Sequence, residues 1–346
     1  MKSLAPPPPI FAATEEIRRA DTCAKFKAAA ARRELQVRAV GHRSYAGRKL
    51  PSRVLPEIPS LGWWNARHDQ SWGEDWHRHE GVELAFLSRG RLDLGVGGRM
   101  FHLRPGDMVI TRPWQKHKIG DPTVRASHFQ WLLIDVGAQR PNERWRWPAW
   151  LVLSRRDREL LTTLLRQNEH PVWRANARVR DAFLGLMASL DTGDLPAMES
   201  RIKIATNALL ASVLDLLRSR RVPLRETLTS TRRTVELFLE SIDERLDHQW
   251  TLDEMAARCG LGRSRFAHHC GEITNLTPAH FLLRRRLGSA ARLLCARPHQ
   301  SITGIAIAAG FQSSQYFANR FRLEFGCTPS EYRRRRGPRP NGGPRH

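Results

Sequence analysis

A chain of 346 residues is long enough for two domains and a connection. Its formal charge of +23, from 57 Lys and Arg against 34 Asp and Glu, points to a polyanionic partner, most simply a nucleic acid. No apolar run approaches the roughly 18 residues that a membrane span needs, and no signal-like apolar core opens the chain, so neither a spanning protein nor a membrane partner is expected.

In chain order, residues 1–55 hold four consecutive prolines, an Ala-rich basic stretch and no sustained apolar period. They read as a disordered tail with at most a short helix near 15–35. The character changes from residue 60 to about 137, where short alternating runs lie between turn residues. The segments 82–87, 91–96, 99–103, 108–110 and 128–135 predict strands, with Gly90, the pair Gly97 and Gly98, and Pro105 to Asp107 as turns. Several short strands at this spacing predict a small barrel or sandwich over 56–150. The five cysteines form no CxxC pair and read as reduced packing thiols of a cytoplasmic protein.

Within that β region, His77, His79, Glu83 and Gly90 are spaced HxH-x3-E-x6-G, followed by Gly98, Pro105, Gly106, Pro113 and His117. On a strand, His77 and His79 share a face because side chains alternate. Three imidazoles and a carboxylate suit a divalent transition metal such as Fe(II), Mn(II), Ni(II) or Zn(II). The pattern resembles the cupin motifs over about 60–137. The resemblance leaves three uses open for His77, His79, Glu83 and His117: a metal site, hydrogen bonding to an effector inside the barrel, or a packed remnant. Six tryptophans, Trp63, Trp64, Trp72, Trp76, Trp114 and Trp131, flank this region, and flat faces such as those of Trp64 and Trp76 suit a sugar or another polar metabolite. Arg67, Asp69 and Gln70 are placed near the mouth.

From 151 to 227 the apolar period becomes helical, with faces at Leu160, Leu161, Leu164 and Leu165, at Val179, Phe183, Leu186 and Leu190, and at Ile202, Leu209, Val213 and Leu217. These faces predict a helical connector that packs on the β domain or pairs with a second subunit.

Residues 228–337 repeat themselves. Ala256 and Gly260 recur fifty positions on as Ala306 and Gly310, and Phe266, Thr277, Pro278 and Phe281 recur fifty-one positions on as Phe317, Thr328, Pro329 and Tyr332. Thr251 and Ser301 stand where a side-chain oxygen caps a helix, the alanines where two helices cross closely, and Gly260 and Gly310 where a tight turn needs positive φ. Each copy therefore predicts a helix-turn-helix, and residues 338–346 a disordered end.

Ile305, Ala306, Gly310, Phe311, Tyr316, Phe317, Phe321, Gly326, Pro329, Tyr332 and Arg333 closely resemble the signature of the AraC/XylS family of bacterial transcription regulators. The resemblance covers about 230–336 and implies two recognition helices joined by a long helix near 278–296, in which Arg286, Leu287, Ala290, Leu293 and Leu294 match the family pattern. By position the DNA-reading candidates are Ser264, Arg265, Ala267 and His268 in the first copy and Ser314, Gln315, Asn319 and Arg320 in the second. Gln315 and Asn319 carry the bidentate amides that suit adenine, and the two arginines suit guanine or phosphate. Cys270 and Asn275 depart from the family in the first copy, so the second helix is expected to do more of the reading.

The resemblances together imply an α+β protein without catalytic residues: a cupin-type sensor ahead of a paired helix-turn-helix domain, acting as a sequence-specific regulator and, by family habit, an activator. Its implied partners are promoter DNA, RNA polymerase, a small effector and a second copy of itself in a homodimer. Two other readings are a metal-dependent cupin enzyme with a fused DNA-binding domain, and a nonspecific architectural DNA binder.

Overall fold

The computed structural model describes residues 23–42, 45–138, 140–220 and 222–336. They fall into two compact units, one ending at Arg233 and one beginning at Thr234. The architecture is α+β, with strands first and helices after.

The first unit opens with helix α1 (Ala24–Ala31) and strands β1 (Gln36–Gly41), β2 (Arg48–Lys49) and β3 (Ser60–Ala66). Then come β4 (Val82–Gly90), β5 (Leu92–Val96), β6 (Arg99–Leu103), β7 (Asp107–Thr111), β8 (His117–Ile119) and β9 (Ser127–Ile134). Helix α2 (Arg155–Gln167), strand β10 (Val172–Arg174) and helices α3 (Ala177–Ala188) and α4 (Leu195–Arg218) complete it. The strands form a seven-stranded sheet in the order β10-β7-β4-β9-β3-β1-β2 and a three-stranded sheet β6-β5-β8, so among the described residues the barrel is a two-sheet sandwich and not a closed ring. Gly97 and Gly98, with φ of 56° and 82°, close the two-residue hairpin between β5 and β6, since that turn needs positive φ at both positions.

Strand β4 shows how this unit is layered. Val82, Leu84 and Phe86 face one core and Ala85 and Leu87 another, as the two-residue period requires. The first core lies against the helices: Phe86 stacks on Phe183 of α3 at 5.3 Å, and Leu161, Ile202 and Leu209 belong to the same cluster. The second lies between the sheets, where Leu87 and Phe129 meet Leu92, Leu94 and Ile119. Because both faces are covered, β4 reads as an unbroken apolar run from Leu84 to Leu87. The helices predicted for 151–227 are thus built into the core of the first unit, and Ser154, Asn176 and Asp194 cap α2, α3 and α4, each cap contributing about 1 kcal/mol.

The expectation of a tail through residue 55 is corrected for residues 23–42 and 45–55. Phe26, Ala29, Leu35, Val40, Leu50 and Leu55 are buried, and β1 pairs with β3 along its full length. No sustained apolar period marks this stretch, because its apolar side chains are divided among helix α1, strand β1 and the loop after β2. Residues 1–22 and 337–346, where the remaining tail expectations fall, lie outside the described residues.

The second unit is helical. Helix α5 (Thr231–Ser241) leads in from the boundary, followed by α6 (Leu252–Arg258), α7 (Arg263–Thr274), α8 (Pro278–Ala296), α9 (Ile302–Ala308), α10 (Ser314–Phe325) and α11 (Pro329–Arg336). Thr251 and Ser301 cap α6 and α9 through Glu254 N and Gly304 N, as the repeat predicts. Phe266 and Phe317 are fully buried, and so are Ala256 and Ala306 where the helices cross. Asn275 at φ 57° and Gly326 at φ 71° end α7 and α10 in the same left-handed conformation, so asparagine does preserve the turn. Among the described residues no helix is long and apolar enough to cross a membrane.

Candidate functional site

Two places concentrate chemistry, one in each unit. In the helical unit, α7 and α10 are the second helices of the two repeats. Ser264, Arg265, His268, Ser314, Gln315 and Asn319 are exposed on them, and Ala267 and Arg320 are half-buried. Phe266 and Phe317 hold the opposite faces in the core, so burial of one aromatic fixes which side of each helix faces outward. Ala267 on α7 and Tyr316 on α10 border one cleft of about 660 Å³, together with Trp250, Leu282 and Phe311. The second helices of the two repeats therefore border one cleft.

The side chains there are not equally available. Arg320 lies 5.3 Å over the Tyr316 ring and its Nε donates to the Tyr316 hydroxyl at 3.2 Å, which props the guanidinium on an exposed aromatic. His268 lies 3.6 Å from Glu272, a carboxylate that works against phosphate on that face. Arg263 is bidentate to Asp253, so this basic residue at the start of α7 is already paired. Gln315 and Asn319 are exposed on successive turns of α10. Arg286, read from the sequence as part of a pattern, is a tie: it donates to Leu246 O at 2.9 Å and His248 O at 2.7 Å and so fixes α8 to the loop before α6.

In the sandwich, His77, His79 and His117 converge. Their ring centroids are 4.3 to 5.0 Å apart, and each is at least nine-tenths buried. His77 and His79 lie in an extended segment with only a bridge from His77 to His117, not within a strand as predicted, while His117 opens β8 and Glu83 is the second residue of β4. His77 Nδ1 is 2.7 Å from Asp75 O, and His117 Nδ1 is 2.8 Å from Gln115 O. A carbonyl only accepts, so both rings carry the proton on Nδ1 and present a bare Nε2 inward. His117 Nε2 has no hydrogen-bond partner and sits 3.4 Å from Glu83 Oε2, a lone pair facing a carboxylate. Thr111 donates to that same oxygen at 3.1 Å.

Burial sets the protonation. It drives the His77 imidazole down to about 3 and His117 to about 4, and holds His79 well below its ordinary value. The same burial pushes Glu83 up, opposed by His77 and by the Thr111 hydrogen bond. The Tyr45 hydroxyl donates to Glu80 Oε2 at 2.6 Å, so at 3.5 Å from His79 Nδ1 its oxygen accepts. Neutral imidazoles with inward lone pairs beside a carboxylate are a donor set for a divalent transition metal.

The cavity they line is small, about 50 Å³, far below the several hundred that enclose a sugar-sized molecule. Phe26 of α1 fills the space, packed between Trp64 at 5.4 Å, Trp131 at 5.6 Å and Trp72 at 6.4 Å. Trp64 thus lies in the lining, as expected. Trp76 does not: it is exposed, with its ring against Lys118 and Lys116, because it precedes the histidines on the outer side of the small sheet. Arg67, Asp69 and Gln70 do not line the cavity either, and Asp69 is occupied in accepting from Ala126 N. The lining residues Cys23, Phe26, Tyr45 and Ala46, all from the stretch read as a tail, were missed in the sequence. Nothing in their spacing marks them, since they meet the histidines only across the fold.

Two family models match the chain, a helix-turn-helix domain over residues 255–335 and a cupin domain over residues 68–133. Among curated relatives, the virulence regulon transcriptional activator VirF of Yersinia enterocolitica is 28% identical over 257 residues, covering 74% of this chain and 90% of the relative. The transcriptional activator RhaS of Escherichia coli is 25% identical over 264 residues, covering 75% and 87%. Of solved structures, the DNA-binding domain of AdpA in complex with a target DNA is 26% identical at a TM-score of 0.29, covering 31% of this chain and 92% of that one. Wild-type ToxT of Vibrio cholerae is 14% identical at 0.32, covering 77% and 92%. The curated relatives are transcription regulators and not enzymes.

Proposed function

We propose that this chain is a transcription regulator of the AraC/XylS type, with a cupin domain ahead of a paired helix-turn-helix domain, and that it activates promoters in response to a ligand received in the cupin cavity. One observation carries the DNA half of this reading. Two recognition helices present exposed polar turns beside a single cleft, with arginines at Arg265 and Arg320 and adenine-type readers at Gln315 and Asn319. Phosphate contacts from the basic surface would supply affinity, and α10 would supply most of the selection. A homodimer in the cytoplasm, working with RNA polymerase, completes the proposal and would double the DNA contacts.

For the cupin half, His77, His79, His117 and Glu83 would hold a divalent transition metal. The bare Nε2 of His117 facing Glu83 supports this, because a cation between them removes the repulsion between a lone pair and a carboxylate. Such an ion supplies a Lewis-acid contact for an anionic or polar effector. A larger effector would have to displace Phe26 from its three tryptophans, and the ligand controls DNA binding only if it binds the DNA-competent form more tightly.

Footprinting the full chain on its own upstream DNA at physiological salt tests the DNA half. One bounded protected region is the expected result, and diffuse protection that tracks salt alone would leave a nonspecific binder instead.

A further inference from the structure

We propose that Cys23 is a thiolate ligand of the metal ion in the cupin cavity, so that the metal fastens helix α1 over the histidine cluster. The inference rests on the reading that this cluster holds a metal, and deepens it by adding a ligand that the histidine motif does not contain.

Cys23 Sγ lies 3.4 Å from His77 Nε2. A tetrahedral zinc centre, with metal–sulfur bonds near 2.3 Å and metal–nitrogen bonds near 2.0 Å, separates sulfur and nitrogen ligands by roughly 3.5 Å. In the metal-free cavity this is a hydrogen bond from the thiol to the bare Nε2, and the same spacing suits two ligands on one ion once the thiol proton has left. Cys23, His77 and His79 each place a ligand atom within 4.8 Å of the others, and so do His79, Glu83 and His117, so the two sets meet at His79. His77 has its Nδ1 committed to a carbonyl, which leaves Nε2 as the atom that faces the sulfur. The unpartnered, buried Nε2 of His117 lies across the same cluster, with ring centroids 4.3 Å from His77.

The sulfur's position is held independently of any metal. Lys27 N bonds back to Cys23 O at 3.0 Å, Phe26 N donates to Glu74 Oε1 at 2.5 Å, and Lys25 pairs with Asp75 at 2.9 Å. Three residues past the cysteine, the Phe26 ring is wedged among tryptophans. Thiolate with imidazole is the donor set of zinc, whereas imidazole with carboxylate alone also accepts harder ions. On binding, the Cys23 S–H bond breaks, its proton passes to solvent, and the sulfur lone pair forms the metal bond.

The test uses full-length protein without a polyhistidine tag, stripped with chelator and titrated with Co(II). One cobalt per chain with a near-ultraviolet thiolate-to-cobalt charge-transfer band is expected, and Cys23→Ser should keep the ligand-field bands of an imidazole-bound ion while losing that band. Stoichiometric cobalt without the band in the unaltered chain, or a band that survives Cys23→Ser, overturns the role of Cys23 and leaves the histidine site standing. No cobalt uptake at all removes the metal site and the thiolate with it. Should the variant fail to fold, alkylation of the unaltered protein decides: Zn(II) should slow labelling of Cys23, followed by peptide mapping, by at least about tenfold. An unchanged labelling rate overturns the proposal.

Discussion

A Cβ placed on Gly310 would lie 2.0 Å from the carbonyl oxygen of Leu246, the oxygen to which Arg286 Nε donates at 2.9 Å. The turn glycine of the second helix-turn-helix is thus pressed against the loop that leads into the first, and Gln249 Nε2 donates to Gly310 O at 3.1 Å across the same contact. With φ at +89°, Gly310 meets both a conformational and a steric demand that no other residue satisfies.

Gly310→Ala should therefore destabilise the helical unit by about 1–3 kcal/mol or more, and weaken DNA binding with it. Gly271, in the middle of α7 with nothing within 4 Å of its would-be Cβ, provides the opposite case. Gly271→Ala should stabilise by about 0.5–1 kcal/mol through helix propensity. Urea midpoints of the two variants, moving in opposite directions, are the measurement.

Alanine at Gln315 or Asn319 should relax base selection by about 1–3 kcal/mol per bidentate contact and leave the salt slope nearly unchanged. Arg265→Ala should instead lower affinity for all sequences and flatten that slope. Competition binding against single-base operator variants at two salt concentrations separates the two behaviours, and unchanged selectivity in the α10 variants would remove that helix from the reading role.

Phe26→Ala empties the aromatic cage. Loss of a ring packed against Trp64, Trp72 and Trp131 should cost about 3–5 kcal/mol, less where α1 detaches instead of leaving a void. Because those indoles then meet water, tryptophan emission should move to longer wavelength, and the unfolding midpoint of the variant should fall at the same time.

Acid should weaken the first unit, held in chelator, in a defined window. The three histidines have folded pKa values below their ordinary 6.5, so below that pH the unfolded chain binds more protons than the folded one. Their contribution is fully present above about 6.5 and is lost as pH falls towards the folded values of about 4 for His117 and about 3 for His77. Each adds a slope of up to about 1.4 kcal/mol per pH unit. Glu83 is raised, so it acts in the opposite sense, losing its contribution as pH rises through its folded value, but it is one group against three. Denaturant midpoints in chelator between pH 7 and 4.5 should fall steadily, and His79→Gln should reduce the slope.

Much of this protein is decided locally and was legible in the residues. The helix-turn-helix repeat depends on caps at Thr251 and Ser301, turns at Gly260 and Gly310, and one buried aromatic per helix, all set within a few positions of each other. The histidine motif is likewise local, because alternate residues share a side of an extended chain and turn glycines mark where β8 returns. Strands β4, β5, β6, β7 and β9 and helices α2 to α4 follow from apolar periods of two and 3.6. What only the tertiary structure decided is what closes the cavity and what shares each core. Phe26, Cys23 and Tyr45 carry no periodic signal, since their partners lie some thirty to a hundred positions away and each makes its contacts as a single side chain. Trp76 and Trp64 look alike in sequence, yet the pleat and the sheet edge place one outside on lysines and the other inside on Phe26. Short-range rules specify the elements and the donors; burial between elements, which depends on the whole chain, specifies the pocket they form.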